Sequence, residues 1–315
     1  MRTTWLGLSA FALLWSGIAL GQNAQCDRDC LRGALLRYMN AVAKNEPNDA
    51  GIIVGFRQTE NAEVKRVGTG TWQSVTALGE VQRLFMDPVT GQAAYFGLVQ
   101  EGATLAVASV RVKVVDGQVA EAEWYIGRPG QLGMQGDVGA DGANAGPYDP
   151  PNFLANPPPR ERNVPVNERL SRATLVGVAN SYFDAITAHD GSIMLIQPAC
   201  QRIENGRQIT GRVLPEGSDD GYQGKTICSS GIRTTGRLDI AFVAHRRYPL
   251  VDEQQQVVLG MAVFLRNPNS INRRLGLSEY FYIDDGLISS VYAGMFYAPP
   301  ELPLPNWPPY ADNLP

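Results

Sequence analysis

Histidine is scarce in this sequence. His189 and His245 are the only two among 315 residues, which excludes the histidine-rich metal centres. No metal and no cofactor is expected. Charge is sparse too: charged residues make up 18% of the chain, against ~25% in ordinary domains. The 27 basic side chains face 31 acidic ones, a net charge of −4. Such a chain lacks the basic face that phosphate contacts require, so no nucleic-acid partner is expected. Beyond residue 20 no apolar run is long enough for a bilayer. The GxSxG, GxxxxGK[ST] and HExxH signatures are absent. The glycine-rich stretch 136–146 precedes no helical pattern and carries no lysine, so it reads as a linker rather than a phosphate cradle.

Apolar residues make up 44%, and the length suits about two domains. Residues 5–20 form a nearly uncharged apolar run, short for a membrane span. Residues 1–21 therefore read as a signal peptide, which makes the protein secreted or periplasmic, with no membrane contact after cleavage. Export makes the four cysteines, Cys26, Cys30, Cys200 and Cys228, readable as two disulfides. Of three connectivities, local pairing (Cys26 with Cys30, Cys200 with Cys228) is favoured.

The most informative feature is internal repetition. Leu31, Ala34, Leu35, Tyr38, Met39 and Val42 follow helical spacing, and Leu175, Val178, Ala179, Tyr182, Phe183 and Ile186 repeat it 144 residues later. Asp27 and Ser171 stand before the two helices as caps. Glu60-Asn61 recurs as Glu204-Asn205 at the same offset. Both halves then turn strand-like. Residues 104–115 and 119–126 flank the Asp116-Gly117 turn, and residues 280–283 and 287–296 flank Asp285-Gly286. Residues 239–243 and 257–265 also read as strands. The Asp-Gly offset is 169, so the second half has gained about 25 residues, placed between 206 and 236. The expected organisation is a signal segment 1–21, a domain 26–128, a Gly/Pro-rich linker 129–170, a domain 171–298, and a Pro-rich tail 299–315 that either docks as a strap or is solvated.

A helix, a short connection and mostly antiparallel strands read as α+β. The stripe Leu31, Leu35, Tyr38, Ala41 followed by Glu60-Asn61, its copy in the second half, and the ending RVKVVDGQVAEAE resemble nuclear transport factor 2-like domains, the group of SnoaL-like and ketosteroid-isomerase-like proteins. The resemblance implies two cone-shaped domains, each a curved, mostly antiparallel sheet wrapped on an N-terminal helix. It also implies candidate chemistry. Tyr38 and Tyr182 hold the position of an oxyanion-donating tyrosine, and Glu60 and Glu204 fall near that of the carboxylate base. A carboxylate in an apolar cone has a raised pKa and serves as a base, and a neutral phenol stabilises developing charge. No counterpart of the family's protonated aspartate is present.

His245 is an auxiliary acid if Val243, His245 and Arg247 share an inward strand face. Otherwise it stands at a sheet edge beside solvated arginines. His189 reads as a helix-end residue, Trp72 as a wall or filler of the first cavity, and Glu121 with Glu123 as a solvated pair. The first expectation is an exported, cofactor-independent isomerase or dehydratase-like lyase acting on a small, partly apolar carbonyl or hydroxyl compound, with the second half active. The alternative is a non-catalytic module whose cones capture a small ligand or a protein. A third is a structural role in which the sheets pack face to face, within the chain or between copies.

Overall fold

The computed structural model describes residues 26–135, 145–210, 228 and 239–307. The expected signal segment, the centre of the glycine-rich stretch, most of the expected insertion and the end of the tail lie outside the described residues.

Helix α1 (Arg28–Lys44) starts where the Asp27 side chain accepts from the Cys30 amide, and ends at Asn45 in the left-handed conformation. Its stripe of Leu31, Leu35, Tyr38, Met39 and Val42 is fully buried. There follow β1 (Ile52–Glu60), β2 (Glu63–Lys65), α2 (Thr71–Ser74), β3 (Ala77–Asp87), β4 (Gln92–Glu101), β5 (Thr104–Val115) and β6 (Gln118–Gly127). They form a sheet of order β2-β1-β6-β5-β4-β3. All pairs are antiparallel except β1 with β6. Register shifts in β1, β3 and β6 bend the strands, and the sheet wraps α1.

The second domain repeats this plan. Ser171 caps α4 (Arg172–Ala188) by accepting from the Thr174 amide. Then come β7 (Ile196–Glu204), β8 (Arg207–Gln208), β9 (Phe242–Asp252), β10 (Val257–Leu265), β11 (Arg274–Asp284) and β12 (Leu287–Ala298), in the order β8-β7-β12-β11-β10-β9. The strand expected over 239–243 begins only at Phe242 and runs on to Asp252. The expected insertion is also divided. Asp87 and Asp252 end β3 and β9 at an offset of 165, so 21 extra residues precede β9 and four more lie in the β10–β11 loop.

Both disulfides close, Cys26 with Cys30 and Cys200 with Cys228. No described helix is long and apolar enough to cross a membrane.

Two apolar clusters fill the cones, and a third lies between the sheets, with Phe85, Phe96, Tyr125, Leu250, Tyr280 and Phe296 among its members. The sheets pack face to face within the chain, and the packing is reciprocal. Arg28 of α1 forms a two-pronged pair with Asp252 at 2.7 and 3.0 Å, and its equivalent Arg172 of α4 does the same with Asp87. The Met86 amide donates to Asp252 and the Val251 amide to Asp87, at 3.0 and 2.9 Å. A contact that recurs with its partners exchanged is the mark of a two-fold relation.

The described parts of the linker and of the tail are both engaged. The linker folds into α3 (Pro150–Ala155), with Phe153 fully buried, and the tail lays Trp307 on the first domain. A composition rich in proline does not prevent burial where an isolated aromatic finds a notch.

Candidate functional site

The Glu-Asn repeat has a structural half. Asn61 and Asn205 both adopt left-handed φ, 46° and 43°. The Asn61 side chain accepts from the Ile126 amide and donates to the Ile126 carbonyl, at 2.9 and 3.1 Å, and Asn205 does the same with Met295, at 3.0 and 2.8 Å. Each asparagine locks the turn after the first strand to the last strand, and so holds the glutamate before it at the mouth of the cone.

In the first domain Glu60 is buried and both its oxygens are engaged. Arg128 reaches one at 2.7 Å, and the Thr71 amide donates to the other at 2.9 Å. Gly70 (φ 64°) permits that approach, because a Cβ there would stand 2.4 Å from the carboxylate. Arg128 also forks onto Glu101 at 2.7 and 2.8 Å. Burial pushes the Glu101 carboxyl up, and the Arg128 and Ser74 hydrogen bonds outweigh this, holding it below its ordinary value. Deeper in, the Tyr38 hydroxyl donates to Gln58 Oε1 at 2.9 Å and accepts from Trp124 Nε1 at 2.9 Å, while Trp72 Nε1 donates to the same Gln58 oxygen at 2.8 Å. Trp72 fills the cone with its edge toward Tyr38, ring centroids 5.7 Å apart. Burial pushes the Tyr38 phenol far up, and the Glu60 charge adds to it.

In the second domain the same places hold different chemistry. Arg202 replaces Gln58, Glu279 replaces Val110, and Ala293 replaces Trp124, as the matching strand registers require. Arg202 is buried and binds Glu204 through Nε at 2.7 Å and Glu279 through Nη1 at 2.6 Å, and the same Nη1 meets the Tyr182 hydroxyl. One guanidinium thus brings Tyr182 and Glu204 into one cluster. Glu279 is fully buried, and its Oε2 has no hydrogen-bond partner among the described residues. Burial raises its pKa, and Arg202 opposes the rise without cancelling it.

The other candidates stand elsewhere. His245 is exposed, in left-handed conformation (φ 50°) at a bulge in β9, where Met261 faces Arg247 and Val263 faces Ala244. The extra residue breaks the alternation. Val243 and Arg247 are buried while His245 turns out, so the shared inward face expected for it does not form. His189 is the C-cap of α4, its Nε2 2.7 Å from the Ile240 carbonyl oxygen. Glu123, expected in solvent with Glu121, is buried. Arg247 of the second domain forks onto it at 2.7 and 3.0 Å, and Arg111 reaches it at 3.1 Å. Burial pushes its carboxyl up, and the two arginines more than reverse that. Arg247 is therefore an interface residue rather than a solvated one. Among the described residues no three His, Cys, Asp or Glu side chains are placed to hold a metal ion.

Two open grooves lie at the mouths. One, of about 240 Å³, is lined by Glu60, Glu63, Arg128, Tyr297, Pro299 and Leu302. The other, of about 260 Å³, is lined by Met134, Ala145, Pro147, Glu204, Arg207 and Tyr297. The grooves correspond: Glu63 and Arg207 share a repeat position, as do Glu60 and Glu204.

Both domains have the cone-shaped α+β architecture that the resemblance to nuclear transport factor 2-like domains implies. The helix followed by the order β2-β1-β6-β5-β4-β3, with a single parallel pair, carries that statement. The family described as "Domain of unknown function (DUF8021)" matches residues 168–295, the second of these domains. Among solved structures the chain is similar to an NTF2-like protein of unknown function from Cytophaga hutchinsonii. That likeness has 11% identity, covers 30% of this chain and 88% of that one, and has a TM-score of 0.26. It is also similar to a protein of unknown function with a cystatin-like fold from Methylobium petroleophilum, at 18% identity over 42% of this chain and 81% of that one, TM-score 0.29. No curated protein matches the chain.

Of the residues that matter here, sequence reasoning passed over Arg202, Glu279 and Arg128. A signal existed for Arg202: it stands two residues before Glu204, on the same strand face, where the first repeat has Gln58.

Proposed function

We propose that the protein is an exported small-ligand-binding module whose working surfaces are the two grooves at the cone mouths, the Glu204 groove foremost. The observation that carries this reading is Arg202. It engages Tyr182 and Glu204 together, so the phenol and the carboxylate wanted for proton transfer are both held by one buried cation. In the first cone Tyr38 is likewise engaged, by Gln58 and Trp124. The grooves are smaller than the ~300–1,000 Å³ of drug-sized sites. They combine apolar walls (Met134, Pro147, Tyr297) with a carboxylate and a guanidinium. This suits a small, partly apolar compound bearing hydroxyl or carbonyl groups.

Glu279 favours a second reading, a cofactor-independent isomerase or lyase of the second domain. A buried carboxyl with raised pKa and an oxygen unpartnered among the described residues has the properties of a general base. In that reading Tyr182 and Glu204 act beside it, Glu60 and Tyr38 form the duplicate set, and His245 has no part.

The test is a panel of small hydroxy and carbonyl compounds, scored in parallel for thermal stabilisation and for turnover. Stabilisation without turnover, lost in Glu204→Gln and Arg207→Ala, is the expected result. Turnover abolished by Glu279→Gln would replace the binding reading with the catalytic one.

A further inference from the structure

The repeat does not end with the two sheets. Pro151-Asn152-Phe153 follows the first domain, and Pro305-Asn306-Trp307 follows the second. The offset is 154, unlike the 144 and 169 inside the domains. The asparagines of the two tripeptides nonetheless land on equivalent places, each on the opposite domain, while the Phe153 ring also meets Phe96 of its own domain edge-on, centroids 5.4 Å apart. Asn306 Nδ2 donates to the Ala62 carbonyl at 2.8 Å, and Asn152 Nδ2 donates to the Gly206 carbonyl at 2.6 Å. Ala62 and Gly206 are the same repeat position, one residue after the locking asparagine, and both have positive φ, 66° and 85°. At Gly206 a Cβ would stand 2.4 Å from the Asp149 carbonyl oxygen, so the arm fits closely there.

The aromatic residues match the notches they enter. Trp307 is buried, donates Nε1–H to Thr59 Oγ1 at 2.8 Å, and has the guanidinium of Arg57 4.1 Å and that of Arg111 4.9 Å from its ring centre. Arg57 also reaches the Asn306 carbonyl at 2.7 Å. In the second domain the equivalents of Thr59 and Arg111 are Ile203 and Tyr280, and Phe153 lies in one apolar cluster with both. An indole meets a hydroxyl and two cations, and a phenyl meets hydrocarbon. Each notch has the polarity of its occupant.

We infer that residues 145–153 and 299–307 are exchanged arms, and that the turn around Asn61-Ala62 is a binding site for a Pro-Asn-Trp segment, supplied by this chain's own C-terminal arm. The first arm continues into α4 and is fixed at both ends. Docking of the second is a reversible intramolecular binding event, with the high effective concentration that its tether to β12 gives. Pro299 and Leu302 of that arm line the groove at Glu60, so its release removes one wall of that groove.

The test uses the whole chain with a protease site inserted between Pro300 and Glu301, cut after folding. A labelled synthetic peptide of residues 301–315 should then bind the cut protein saturably. Trp307→Ala or Asn306→Ala in the peptide should weaken binding at least about tenfold, the equivalent of ~1.4 kcal/mol. Thr59→Val in the protein should weaken the parent peptide but not a Trp307→Phe peptide. In the uncut chain, Trp307→Ala should speed proteolysis within 299–307 while leaving the main melting transition in place. Absence of saturable binding, equal affinity for the Trp307→Ala peptide, or an unchanged cleavage rate would overturn the inference. No small ligand enters these measurements, so they succeed or fail independently of the binding reading.

Discussion

Ser109 and Ser278 occupy the same place in the two domains and touch each other, Oγ to Oγ at 2.7 Å. Equivalent atoms meet in this way only on a two-fold axis. Here it runs between β5 and β11, and the Tyr280 hydroxyl joins the same contact at 2.9 Å from Ser109. The chain is a dimer written as one polypeptide.

The exchanged Arg–Asp pairs should dominate the docking of the two domains. Asp87 and Asp252 are almost wholly buried, whereas Arg28 and Arg172 are about a fifth exposed. Arg28→Ala should therefore cost about 2–3 kcal/mol, somewhat less than loss of a partner from a fully buried pair. Arg172→Ala should cost a similar amount. Urea unfolding of each variant checks this, and a loss under ~0.5 kcal/mol in both would contradict it.

Arg202 and Glu279 should be separable only at a cost. Arg202→Gln alone leaves Glu279 without its cation and should cost ~3–5 kcal/mol. Adding Glu279→Val installs the pair found in the first domain, Gln58 and Val110, and should recover more than half of the loss. Full recovery is not expected, since Ala293 leaves open the space that Trp124 fills in the first cone. The readout is a double-mutant cycle in denaturant.

Glu279 should also impose a pH dependence of defined sign. Its folded pKa lies above the ordinary 4.5, so the folded state binds the proton more tightly than the unfolded chain. That contribution is complete below pH 4.5 and is lost as pH rises through the raised value. Relative to Glu279→Gln, the parent protein should lose stability across that window. Glu123, with its lowered pKa, works in the opposite direction, and its contribution disappears as pH falls through its folded pKa. Unfolding curves of the parent and of each glutamine variant across this pH range separate the two.

The disulfides should differ in weight. Cys200–Cys228 spans 28 residues and Cys26–Cys30 only four. Chain entropy assigns ~3–4 kcal/mol to the first and about 2 to the second. Serine replacement of Cys200 and Cys228 should lower the melting temperature more than replacement of Cys26 and Cys30, as calorimetry would register.

The helices were legible because each buries one side only, so burial appears as periodicity in α1 and α4, and the last hairpins because Asp-Gly marks their turns. β4 was not, since eight of its ten residues are buried and no alternation is left to read. Glu123 was misread for a related reason: its partner Arg247 lies 124 residues away, on a surface that exists only once the domains have docked. His245 was lost to a single extra residue, which no strand pattern reveals. Tyr38, Tyr182, Glu60 and Glu204 stand out in the sequence because duplication marks a position twice. The same rule hid Arg202 and Glu279, where the copies differ.

That difference has a wider consequence. When two identical subunits pair, any substitution arrives on both sides of the axis at once, and an interior tuned for a new task is also a scaffold put at risk. Joining the subunits end to end removes that coupling. One cone keeps its indoles as ballast, and the other is at liberty to carry an ionised interior.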